Sequence, residues 1–216
     1  MLTIYGLPLS GFCGKVRVVL RHKHLNWQQL PPPGGYKSDE YKKIVPSGNL
    51  PTLIDDDLML ADSEVINEYL NEKYPEPAML PDAPIARAKV RELSRFHDTR
   101  LEPEVRKLYP HIRPENRNPN INQQQSKEIS TRLEQLARIL DGSSADIIET
   151  LNLGTVGYCF TFAWIDALTP VLDLSITWPD KIIDFRQKLE LHPSIDTEIQ
   201  PYRPLLREWF VENNIT

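Results

Sequence analysis

Cysteine is scarce in this chain, and long apolar runs are missing. Its only two cysteines, Cys13 and Cys159, lie far apart in the 216 residues, with none of the close spacing of a zinc site or a disulfide framework. A reducing cytoplasm is the simplest setting for such a protein. No segment approaches the roughly 18 apolar residues of a membrane span. Positive charge is the minority: 25 Lys and Arg against 30 Asp and Glu leave a net charge of −5. Neither nucleic acid nor an anionic membrane is therefore an expected partner. The opening residues, MLTIYGLPLSGF, lack a basic segment followed by a long apolar core, so no secretory signal is expected.

What is present suits a soluble globular protein: 40% hydrophobic and 25% charged residues, with length enough for one large or two small domains. The 19 prolines gather at element boundaries. Residues 2–5 read as a strand closed by Gly6-Leu7-Pro8. Residues 11–22 follow as a helix, with Phe12, Val16, Val19 and Leu20 at helical spacing and Lys15 and Arg17 between them. The basic end of that helix, Arg21 to His24, suits the helix dipole better than a metal. Residues 27–30 are a second strand, broken by Pro31-Pro32-Pro33-Gly34-Gly35, and 38–43 a short helix.

The richest stretch is 44–70, IVPSGNLPTLIDDDLMLADSEVINEYL. Two short apolar runs, 52–54 and 58–60, flank Asp55-Asp56-Asp57 and predict a hairpin. The acids suit the turn without any metal. Leu50-Pro51 suits a cis bond, which would leave the Leu50 N–H and C=O facing outward to pair with an extended peptide. Asp62 and Ser63 open a helix whose unpaired N–H groups and dipole favour a carboxylate, although both residue types also serve as plain caps.

Prolines 75, 77, 81 and 84 mark a linker. Beyond it the pattern is helical. Residues 87–108 carry an apolar face that Pro103 should kink. Residues 113–125 read as a polar Asn-, Gln- and Pro-rich loop, and 129–140 as a helix stopped at Asp141-Gly142. Residues 155–174 form a strongly apolar central helix, and two helices follow, at about 180–191 and 194–212.

The ordered set Val45-Pro46-x-Gly48-x-Leu50-Pro51-x-Leu53, the acidic hairpin, Asp62-Ser63-x-x-Ile66-x-x-Tyr69-Leu70, Tyr74-Pro75 and Leu80-Pro81 resembles the glutathione S-transferase family. Within it the likeness is to serine- and cysteine-type bacterial and zeta-like members. The resemblance is strong over the first ~80 residues and loose beyond. It implies a thioredoxin-like α/β domain over 1–76, a linker over 77–84 and an all-α electrophile-binding domain over 85–216.

It also implies glutathione as co-substrate, no metal, a small-molecule electrophile as partner in detoxification, and a homodimer. The acceptor pocket is expected between the domains, drawing on residues after Ser10 and on 95–107, with Arg95, Arg100, Arg106 and Tyr109 as unranked candidates. By resemblance, Leu50 ahead of Pro51 pairs with the cysteinyl part of glutathione. Asp62 and Ser63 hold its γ-glutamyl end, Lys37 reaches its glycyl carboxylate, and Asn49 stands at a glutathione-binding position where relatives often carry Gln or Lys. Ser10 falls where such proteins keep a catalytic serine or cysteine, and it also suits a helix cap. Cys13, in the segment S-x-x-C, is the alternative, which would turn the chemistry to disulfide exchange or deglutathionylation; it also suits a buried, inert thiol. Tyr5 is a third candidate, better suited to packing in the strand. A non-catalytic glutathione-binding protein of the same fold is a further reading.

Two departures from the family pattern are mild: Val45 for Asn and Asp62 for Glu. A third bears on folding. Thr161-Phe162-Ala163-Trp164 stands where relatives have a Ser/Thr-x-x-Asp capping box, and Trp164 cannot accept the reciprocal bond.

Overall fold

A computed structural model describes residues 1–215, which divide into two compact units, the first over 1–80 and the second from Pro81 onward. The first holds β1 (Leu2–Tyr5), α1 (Gly11–His22), β2 (Trp27–Leu30), α2 (Asp39–Ile44), β3 (Thr52–Asp55), β4 (Leu58–Ala61) and α3 (Ser63–Lys73). Its sheet runs in the order β2-β1-β3-β4, with β1 parallel to β2 and antiparallel to β3, and β3 antiparallel to β4. This βαβ–ββα arrangement is thioredoxin-like. Ile4, Val16, Val19, Leu20, Leu53, Ile66 and Leu70 form the core beneath the sheet, where α1 packs on α3.

The acidic hairpin divides its labour. Asp56 and Asp57 lie exposed in the turn, Asp56 with a left-handed φ of 53°. Asp55 is buried and accepts hydrogen bonds from the Tyr69 hydroxyl at 2.7 Å and the Lys73 ammonium at 2.5 Å. Burial alone would raise the Asp55 carboxyl, but those two donors outweigh it and hold it below its ordinary value. They also fasten α3 to the hairpin.

Asn67 breaks the apolar face of α3. It is fully buried, and neither its amide nitrogen nor its amide oxygen has a protein partner among the described residues. Asn67→Leu is therefore expected to stabilise the protein by about 1–3 kcal/mol, because it removes an unpaired polar group and adds apolar burial. A thermal melt would register this as a rise of about 2–4 °C per kcal/mol.

The second unit is helical: α4 (Pro84–Phe96), α5 (Glu102–Arg106), α6 (Pro119–Asp141), α7 (Ala145–Glu149), α8 (Tyr158–Leu172), α9 (Asp180–Glu190) and α10 (Pro193–Glu212). Its centre is α8, whose Phe160, Phe162, Ile165 and Leu168 are buried.

The disturbance expected at Pro103 falls one turn earlier. Residues His97–Leu101 form a wide π turn between α4 and α5, and the Glu102 N–H bonds the His97 carbonyl five residues back. Pro103 has no N–H to offer the carbonyl four residues before it, so the backbone widens there. The π turn is pinned by His97, whose ring nitrogens bond Asp98 at 2.7 Å and Thr161 at 2.8 Å.

The polar loop expected at 113–125 ends early, at Asn118. The Asn118 side chain accepts from the Asn120 and Ile121 N–H groups, Pro119 takes the first helical position, and α6 has begun. Asn122 is buried and donates to the Leu172 carbonyl at 2.9 Å, which closes the end of α8. The capping box missing at Thr161 is replaced upstream. The Asn152 N–H donates to Thr155 Oγ1 at 3.2 Å and the Gly154 N–H to Asn152 Oδ1 at 2.9 Å. Helix α8 thus starts a turn before Thr161, whose hydroxyl is left to meet His97.

His192 caps α10 by accepting the Ser194 N–H on Nδ1 at 3.2 Å. Burial lowers its pKa below the ordinary 6.5. The folded state thus favours the neutral ring that the cap requires, and this stability is present above the unfolded value and lost as pH falls through the folded one. His192→Asn keeps a good cap acceptor without the titration. Denaturation curves below about pH 6.5 should lose less stability on acidification in this variant than in the wild type.

Candidate functional site

Strand directions bring three loops to one end of the first unit. Strand β1 is antiparallel to β3 and β3 to β4, so β1 and β4 run the same way and end together. Helix α3 follows β4 after Asp62, and α1 follows β1 after the short loop 6–10, so both are entered from that end. The register aligns Tyr5 with Thr52 and Thr52 with Ala61. Leu50 lies two residues before Thr52 and Ser63 two residues after Ala61, so both sit just beyond this last pair.

Ser10 caps α1, its Oγ accepting the Cys13 N–H at 3.3 Å. A hydroxyl that accepts in this way keeps its own proton for a second partner. Its loop is held by Arg17, which donates to the Pro8 carbonyl at 3.2 Å and to Gln29 Oε1 at 3.1 Å. Cys13 points the other way. It is 0% exposed, and a Cβ on Gly6 would lie 3.0 Å from its sulfur. Burial pushes the thiol above its ordinary value, although Ser10, Leu7 and Arg17 act to lower it. An inaccessible thiol with little thiolate is a poor nucleophile. Tyr5 packs edge-on against Tyr41, with ring centres 5.8 Å apart.

Leu50-Pro51 is cis. Leu50 is half-buried, and its N–H and C=O make no hydrogen bond with the described residues. Its neighbour Asn49 is fixed from beneath, where the buried Tyr41 hydroxyl donates to the Asn49 carbonyl at 2.9 Å and shares a 2.8 Å bond with Thr52 Oγ1. Sequence reasoning passed over Tyr41, because a single aromatic residue in a short helix carries no pattern.

Lys37 and Asn49 share the exposed rim of this end. The Lys37 Cα lies 3.4 Å from where a Cβ on Gly48 would stand, and the Lys37 ammonium sits 5.2 Å from the centre of the Tyr36 ring. Opposite them Asp62, with φ 94°, caps α3 by accepting the Glu64 N–H at 2.8 Å and the Val65 N–H at 3.3 Å. Ser63 is 5% exposed, and neither its hydroxyl nor its N–H is bonded to a described residue. Unpaired donors at a helix N-terminus suit an anion, and the free Leu50 backbone suits an extended peptide. Among the described residues no group of His, Cys, Asp and Glu is placed to hold a metal ion.

Lys15 and Glu64 were also passed over. They form a 2.5 Å ion pair between α1 and the first turn of α3, with side chains 1% and 13% exposed. Their 49-residue separation hides the pairing from any local pattern.

Residues 4–78 match the family described as glutathione S-transferase, N-terminal domain. Over 93 residues the chain is 38% identical to a stringent starvation protein A homolog of Coxiella burnetii, covering 43% of this chain and 44% of that one. Over 83 residues it is 39% identical to glutathione S-transferase Z1 of Arabidopsis thaliana, covering 37% and 38%. The matched segment thus spans less than half the length of either relative.

Among solved structures, a delta-class glutathione transferase of Nilaparvata lugens superposes with a TM-score of 0.79 over 96% of this chain and 99% of its own, at 20% identity. A Burkholderia glutathione transferase homolog with bound glutathione gives 0.65 over 94% and 98%, at 21% identity. At these identities the structural likeness speaks for the fold. The family match lies over residues 4–78, so it is the first unit that carries a glutathione S-transferase N-terminal domain.

Proposed function

We infer that this chain is a cytoplasmic glutathione transferase that joins the glutathione thiolate to a small electrophile. The observation that carries the reading is the meeting, at one sheet end, of an unbonded Leu50 backbone, an unbonded Ser63 and the Ser10 hydroxyl.

In this reading the Leu50 N–H and C=O pair with the cysteinyl backbone ahead of Pro51. The Ser63 hydroxyl and N–H take the γ-glutamyl carboxylate, Asp62 takes its ammonium, and Lys37 and Asn49 meet the glycyl carboxylate. A free thiol of pKa about 8.5 is only partly ionised at neutral pH. The Ser10 hydroxyl and the α1 N-terminus stabilise the thiolate, whose proton passes to water. The sulfur then forms its bond to the electrophilic carbon, and the leaving group departs with the displaced electron pair. The acceptor-binding surface belongs to the helical unit. Exposed Leu58 and Met59 on β4 and Val65 on α3 support a homodimer.

A second reading, a glutathione-binding protein without turnover, is favoured by the likeness to stringent starvation protein A homologs. Retention on immobilised glutathione, combined with an electrophile panel that includes isomerisation and peroxide substrates, separates the two. Turnover supports the transferase; retention with no turnover supports the binding protein; absence of retention defeats both. The Cys13 chemistry finds no support in a thiol so buried.

A further inference from the structure

The turn that offers Leu50 to an extended peptide has little backbone to hold it. Pro51 has no N–H, and the Leu50 N–H and C=O are unbonded among the described residues. Its hold comes from a side chain beneath it. The Tyr41 hydroxyl donates to the Asn49 carbonyl at 2.9 Å and lies 2.8 Å from Thr52 Oγ1. A carbonyl only accepts, so the one phenolic proton is used on Asn49, and Thr52 is the donor in the second bond. One buried hydroxyl thus bridges the two residues that flank Leu50-Pro51.

Both ends of this bridge are firm. Thr52 and Tyr41 are each 0% exposed, and Thr52 stands in β3 between Tyr5 and Ala61. Tyr41 is set by the cap of α2, where Ser38 Oγ accepts the Tyr41 N–H at 3.0 Å and donates to the Pro33 carbonyl at 2.7 Å. Burial pushes the phenol above its ordinary value, so it keeps the proton that it donates.

We propose that Tyr41 is a positioning residue for the extended ligand: its hydroxyl clamps Asn49 to β3 and so aims the Leu50 backbone at the cysteinyl part of glutathione. The proposal rests on the glutathione reading and names what sets that pairing. Without the hydroxyl, Asn49 keeps only the Thr52 hydroxyl, now 3.4 Å from its carbonyl, and the Leu50 pair loses its aim. Binding should weaken about five- to tenfold, the scale of one or two ordinary hydrogen bonds.

The test measures binding by calorimetry, together with steady-state kinetics, in the wild type, Tyr41→Phe and Thr52→Val. Two ligands are used: glutathione, and glutathione methylated on the cysteinyl amide nitrogen, which cannot give that N–H to the Leu50 carbonyl. Thermal melts of each variant confirm folding. Phenylalanine keeps the ring, and Thr52→Val strips the other end of the bridge should the first variant fail to fold. Wild-type binding of glutathione establishes the glutathione reading on its own, and its absence overturns that reading together with this one.

Given wild-type binding, Tyr41→Phe should raise the Kd and KM for glutathione about five- to tenfold, with kcat within about twofold. Thr52→Val should shift both constants in the same direction. With the methylated ligand, which wild type binds more weakly, either variant should lose less than about twofold further, because both changes strike one pairing. A Tyr41→Phe protein that binds glutathione like wild type would overturn the proposal. So would an equal fold-loss with the two ligands, which a merely structural role predicts.

Discussion

Ser10→Ala is expected to lower kcat/KM towards an aryl halide acceptor by about 10²-fold at neutral pH, the usual cost of removing one preorganised donor to developing charge. Binding of glutathione should change little, because its backbone and two carboxylates are held elsewhere. The pH profile separates donor from cap. Without the hydroxyl, activity should titrate near the ordinary thiol value of about 8.5 and recover towards alkaline pH. Loss of the cap to the Cys13 N–H costs about 1 kcal/mol of stability, which a melt would show and which leaves the pH profile untouched. Cys13→Ala, in the buried position, should leave both kcat/KM and the profile near wild type. Full activity in Ser10→Ala, or its loss in Cys13→Ala, would move the chemistry off the serine.

Gly154→Ala is the substitution with the largest expected effect on stability. A Cβ there would press into the Val90 backbone carbonyl, with Asn152 Oδ1 at 3.0 Å and the Leu93 Cβ at 3.1 Å. Val90 and Leu93 are buried residues of α4, so neither can swing aside into solvent. The Gly154 N–H also donates to Asn152 in the network that precedes α8. Any relief of the clash must break that bond or shift α4. Overpacking against backbone costs about 1–3 kcal/mol and sometimes more, a large share of the ~5–15 kcal/mol that holds a domain folded. Gly142→Ala is the internal control, since its nearest contacts are ordinary at 3.6 and 3.7 Å. Urea midpoints should fall steeply in the first variant and hardly move in the second. Equal midpoints would show that α4 yields more readily than its packing suggests.

The first unit was legible because its signals are local. Alternating apolar runs around Asp55 to Asp57, proline before β3 and an acidic-Ser pair ahead of Ile66 and Leu70 each act within a few residues, and the sheet follows from their order. The inward turn of Cys13 and the pairing of Lys15 with Glu64 were not legible, since both depend on what packs across from α1.

In the helical unit, Asn118 to Gln125 looked like a loop because polarity normally means solvent. Here that polarity is turned inward, with Asn122 bonded to the end of α8 and Asn118 spent on a cap. The replacement for the absent box at Thr161 lay in Asn152-x-x-Thr155, a Thr-dependent loop bond that the family pattern drew attention away from.

The wide turn at His97–Leu101 has a consequence for everything that follows it. One residue too many in a helix is a phase shift: at 3.6 residues per turn it rotates the downstream face by about 100°. Arg106 therefore looks in a direction that an unbroken α4 would never give it. Its guanidinium lies 5.5 Å from the centre of the Tyr109 ring, which in turn lies 4.6 Å from Trp164. A single proline, by withholding one N–H, thus chooses which side chains this end of the bundle displays.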